Sequence, residues 1–93
     1  MGSKGGSQRV TIASNVGQGT AQLCRKAYII PANDNSGDIR VTIDTDCTET
    51  TGIPLSKYED DSNNIFSVEV ENLNQLYFWG DQDDDVVDIL WVY

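Results

Sequence analysis

Apolar residues recur along this chain mostly at spacing two or in short runs, and that spacing predicts strands rather than helices. In "QRVTIA" Val10 and Ile12 alternate with Arg9 and Thr11, and in "DIRVTID" Ile39, Val41 and Ile43 alternate with Arg40 and Thr42. In "IFSVEVEN" Phe66, Val68 and Val70 alternate with Ser67, Glu69 and Glu71. Each reads as a half-buried strand. "KAYIIPA", "QLYFWG" and "VVDILWVY" are short, β-branched or aromatic, and apolar on both faces. That is expected of central strands, or of strands whose outer face meets a partner. Between the runs lie "ANDNSGD", "TETTG", "EDDSNN", "ENLNQ" and "GDQDDD", each rich in turn-forming residues. Short strands at intervals of about ten residues, with no helical segment of useful length, predict an all-β chain: a small antiparallel β-sandwich or jelly-roll-like domain.

Gly17 and Gly19 in "NVGQGT" suggest a flexible joint behind the Gly/Ser-rich start "MGSKGGSQ". The organisation expected is an extended basic N-terminal arm over residues 1–18 and a β-sandwich domain over residues 19–93. In the last two strands the alternation assigns faces. With Phe78 inward, Tyr77 and Trp79 point outward; with Val87, Ile89 and Trp91 in the core, Leu90 and Val92 face out beside Asp88. An apolar and aromatic stripe of that size favours a subunit interface. The alternative is that both faces are covered within the same sandwich.

Length and charge narrow the function classes. Ninety-three residues make one small domain with no room for separate cofactor and substrate domains. There is no apolar run near the roughly 18 residues needed to span a bilayer and no charged-then-apolar leader, so a soluble protein without a membrane partner is expected. Residues 1–33 hold four cations and no acid, whereas the other 60 hold all 15 acids against Arg40 and Lys57, so the two parts carry +4 and −13. An acidic body of this kind excludes nucleic acid as a partner, because such binding depends on neutralising phosphates with Lys and Arg. Lys4 and Arg9 in the arm suit an acidic neighbour, including the body of another copy, or are scattered surface cations. Cys24 and Cys47 lack CxxC spacing, and the chain has no histidine to complete a zinc site, so two reduced, buried thiols are expected in preference to a disulfide.

The acidic turn raises three chemistries. Asp81, Asp83 and Asp85 alternate as in a DxDxD calcium loop, but Val86 stands where the turn-making glycine should be and Val92 where the bidentate glutamate should be. A less regular calcium site joining this turn to Glu59, Asp60 and Asp61 is an alternative; a solvated turn that discourages edge-to-edge pairing is preferred. Acid/base hydrolysis has no specific support, since with 15 acids some pair always lies at a suitable separation. Ser56, Ser62 and Ser67 have no recognisable base partner, and no P-loop or dinucleotide fingerprint is present. A non-enzymatic protein without a cofactor is expected. Sugar binding is the third chemistry, with Tyr77, Trp79, Trp91 and Tyr93 as aromatic faces beside acidic acceptors.

The order of segments carries a resemblance. "LCRKAYIIPANDNSGDIRVTID", then "TETTGIPLSKYEDDSNNIFSVEVENLNQLYFWGD", then "VVDILWVY" resembles the small β-sandwich virion proteins of tailed bacteriophages over residues 22–93. In that pattern a Cys-Arg/Lys strand is followed by an Asn/Gly turn and a V-x-I/V strand. A "TGIPL" turn then leads to a hairpin through "VENLNQLYFWG", and a final strand ends in L-x-V. The resemblance implies a structural role on the virion, as a capsid decoration or cement protein on the head surface. The partners it implies are the major capsid protein and further copies of the chain, in a trimer, with assembly in the cytoplasm of the bacterial host. The alternatives are a phage tail, neck or fibre-base component, and a calcium- or carbohydrate-binding β-sandwich module.

Overall fold

The structure, a computed structural model, describes residues 5–32, 35–55 and 65–93. They contain eight strands: β1 (Gly5–Thr11), β2 (Val16–Gln18), β3 (Lys26–Pro31), β4 (Ile39–Ile43), β5 (Ile53–Leu55), β6 (Phe66–Val68), β7 (Leu76–Gly80) and β8 (Val86–Val92). One 3-10 turn spans Leu73–Gln75. The strands make two four-stranded antiparallel sheets, in the orders β1-β8-β3-β6 and β2-β7-β4-β5. That is the strand order of a jelly roll, a two-sheet sandwich built from two Greek keys. The all-β sandwich expected from the alternation is what the chain forms.

The three doubly apolar segments become β3, β7 and β8, and each is a central strand with a neighbour on both sides. Their inward residues meet between the sheets. Ala27, Ile29, Val87 and Ile89 come from the first sheet, and Ile39, Val41, Leu76 and Phe78 from the second. Trp91 is partly buried against this core. The turn before β7 is locked locally: the Asn72 side chain accepts from the Asn74 N–H, and the Gln75 side chain accepts from the Asn72 N–H. A capping box of this kind satisfies amides at the start of a short turn that no sheet could pair.

Residues 5–18 are not an arm. β1 pairs with β8 from Gly5 opposite Val92 to Thr11 opposite Val86, and β2 pairs with β7. Val10 and Ile12 are 6% and 0% exposed, so their alternation outweighs the Gly/Ser composition around them. The glycines read as a joint are sites of close approach. A Cβ on Gly17 would lie 2.8 Å from Val10 Cγ1, and one on Gly19 would lie 2.2 Å from the Leu73 carbonyl oxygen. At Gly6 the missing side chain leaves room for the Trp91 ring, whose Cζ2 lies 2.9 Å from the position a Cβ would take.

Two further expectations are corrected. Residues 66–80 do not form a hairpin: β6 lies in the first sheet beside β3 and β7 in the second between β2 and β4, so the capped turn carries the chain from one sheet to the other. Ile43 is 39% exposed at the end of β4 and does not join Ile39 and Val41 in the core.

Candidate functional site

Cross-strand register defines the outer face of the first sheet. One row reads Ser7, Leu90, Tyr28, Ser67, and the next reads Arg9, Asp88, Ile30. A third row places Val92 between Gly5 and Lys26. Leu90 is 54% exposed at the middle of this surface, with Tyr28, Ile30, Val86 and Val92 half-buried around it. Charge enters this surface as well as edging it, because Asp88 stands between Val86 and Leu90 on the central strand β8. The Arg9 guanidinium donates through Nε and Nη2 to both carboxylate oxygens of Asp88, at 2.8 and 3.1 Å, and Lys26 Nζ stands 5.3 Å from the centre of the Tyr28 ring. Beyond Val92 an open notch of about 270 Å³ is lined by Arg25, Lys26, Glu69 and Tyr93.

The second sheet presents a different outer face. Its rows are Val16, Trp79, Arg40, Pro54 and Gln18, Tyr77, Thr42. Residues 44–52 fold against part of it. Arg40 Nη1 donates to the Gly52 carbonyl at 3.1 Å, and a Cβ on Gly52, whose φ is +88°, would lie near both Thr42 Cγ2 and Cys47 Sγ. Cys47 is buried in this covering layer, apart from the core between the sheets. Trp79 and Tyr77 are accordingly half-buried.

The expected interface residues therefore separate. Leu90 and Val92 lie on one outer face with Arg9 at its margin; Tyr77 and Trp79 lie on the opposite face of the sandwich. Lys4 lies outside the described residues. Trp91 faces the core and Tyr93 ends the chain at 53% exposure, so the four aromatics considered for a sugar site do not share a surface. Tyr28 and Ile30 belong to the open face and were not singled out from sequence. The signal was present in "KAYIIPA", where burial of Ala27 and Ile29 forces Tyr28 and Ile30 outward.

The acidic turn divides as well. Asp81, Asp83 and Asp84 are exposed, and Asp84 holds φ at 72°. Asp85 is 6% exposed, and its two carboxylate oxygens accept from the Ser36 and Gly37 N–H groups at 2.9 Å each. The solvated-turn expectation fails at this residue, because the carboxylate faces the 35–37 loop and satisfies amides there. Beside it the Asn35 side chain mimics a strand partner, donating to the Val86 carbonyl and accepting from the Val86 N–H, both at 2.8 Å. Among the described residues no three Cys, Asp or Glu side chains converge as a metal-binding group. Glu59, Asp60, Asp61, Ser56 and Ser62 lie outside those residues.

Both cysteines are buried and unpaired. Cys24 Sγ donates to the Val70 carbonyl at 3.3 Å, and burial pushes its thiol up. Burial also pushes Cys47 up, partly offset by hydrogen bonds from its surroundings and by Arg40. Neither has the depressed pKa of a nucleophile. No protein-family model, curated protein or solved structure matches the chain.

Proposed function

We propose that this chain is a non-enzymatic structural protein of a tailed-bacteriophage virion, a capsid decoration protein that attaches to the major shell protein through the outer face of its first sheet. The observation that carries the reading is the surface centred on Leu90, with Tyr28, Ile30 and Val92 around it, crossed by the Arg9–Asp88 pair next to Leu90 on β8 and edged by Lys26. Exposed apolar side chains interspersed with a few groups able to hydrogen-bond a partner are the anatomy of a protein interface. The resemblance over residues 22–93 supplies the virion context. The jelly-roll strand order, which serves many viral capsid proteins, supports it by analogy of fold.

Lectins use the same architecture, but stacking on a sugar ring needs an open aromatic face. Trp79 and Tyr77 lie half-buried beside the 44–52 loop, which favours the shell reading over the sugar reading. The test is co-sedimentation of purified protein with particles stripped of it. Leu90→Asp should weaken attachment at least tenfold, while Val16→Asp, on the opposite face, should leave it unchanged. Equal retention of both variants would remove the first sheet from the account.

A further inference from the structure

The four sheet edges are not protected alike. β2, β5 and β6 are three residues long; β5 contains Pro54, and β6 is followed by Glu69 and Glu71. β1 runs for seven residues and pairs with β8 residue for residue, without a bulge. It has no proline, its outward side chains are small at Ser7 and Thr11, and its one charge, Arg9, is bonded to Asp88 within the same sheet. Among the described residues no strand pairs with its second edge. Sheet edges are normally guarded by shortness, proline, bulges or charge, and a long flat edge lacking them accepts another strand.

We infer that the β1 edge is a self-association site, joining β1 of two copies antiparallel across a two-fold axis. Charge selects the partner. The chain carries −9, and every acid lies beyond residue 33, so copies meeting over most of the body set acid against acid. β1 has no acid, and the Asp88 carboxylate beside it is neutralised by Arg9. Full overlap of Gly5–Thr11 puts Gln8 opposite Gln8 and Ser7 of each copy opposite Arg9 of the other. The first sheet then continues through eight strands, and Leu90 of both copies lies on one continuous outer face. A two-fold pair makes a dimer, where the family resemblance implies a trimer. The inference does not depend on shell attachment.

Sedimentation velocity of the purified chain across a concentration series tests it. The wild type should show a reversible monomer–dimer equilibrium. Ser7→Lys faces Arg9 of the other copy twice and Ser7→Glu attracts it twice, so the dissociation constant of the first should exceed that of the second by at least tenfold at low salt. Ser7 is exposed, so both variants should keep the wild-type circular dichroism spectrum. A monomer at every concentration, a trimer, or a dimer on which the two charges act alike overturns the inference.

Discussion

Replacing Asp85 by alanine removes a buried carboxylate and leaves two backbone amides, those of Ser36 and Gly37, without their acceptor. A hydrogen bond to a charged group contributes about 1.5–3 kcal/mol, and a buried donor left unpaired loses the full desolvation term. Ser36 is exposed and can recover water, whereas Gly37 is buried and cannot. The expected cost is therefore about 2–4 kcal/mol, less than two complete charged bonds. Asp85→Asn retains one carbonyl acceptor and should lose about half as much. Asp83→Ala, two residues earlier and exposed, should stay within about 0.5 kcal/mol of wild type. Urea unfolding followed by tryptophan fluorescence measures all three, with an unchanged dependence on urea as the sign of an intact two-state transition. The reasoning is refuted if Asp85→Ala unfolds at the wild-type midpoint, or if Asp83→Ala costs as much.

Deleting residues 1–18 should unfold the chain rather than trim an appendage: Val10 and Ile12 each contribute about 1.5–3 kcal/mol of burial, and each sheet loses an edge strand. A deleted chain with a native circular dichroism spectrum would show that strand assignment wrong. Gly19→Ala sets a Cβ against the Leu73 carbonyl and should cost about 3 kcal/mol in the same urea assay. Burial raises both thiols, so the folded chain keeps their protons to higher pH than the unfolded chain. That contribution is complete below the ordinary thiol value and is lost as pH climbs through the raised one, so stability should decline above roughly pH 8.5 in wild type and less in a Cys24→Ala, Cys47→Ala variant.

The central strands were legible as strands because their runs are short, β-branched or aromatic, and bounded by turn-forming residues. Alternation put Phe78 on the face opposite Tyr77 and Trp79, and Val87 and Ile89 opposite Leu90 and Val92, but in these doubly apolar runs it did not decide which face was buried, and it left Ile29 and Ile30 unassigned. β2 and β5 were not legible. A three-residue strand holds too few positions for a period, and Gly17 in one and Pro54 in the other are residues that ordinarily argue against strands. Gly17 and Gly19 looked flexible because sequence shows the missing side chain and not the neighbour filling its place. Asp85 was hidden for a related reason. Among the four aspartates of "DQDDD", the one turned inward is selected by amides 48 and 49 residues away in the chain. The aromatic positions Tyr77 and Trp79 were placed on an outer face, but their separation from Leu90 depends on which sheet each strand joins, which local alternation does not encode.

The most direct test of the proposed role is the copy number of this chain relative to the major shell protein in purified particles, by quantitative mass spectrometry of the source lysate. The account predicts a ratio close to that of the shell subunits, as a protein distributed over the head lattice requires. Absence from particles, or a handful of copies on each, contradicts it.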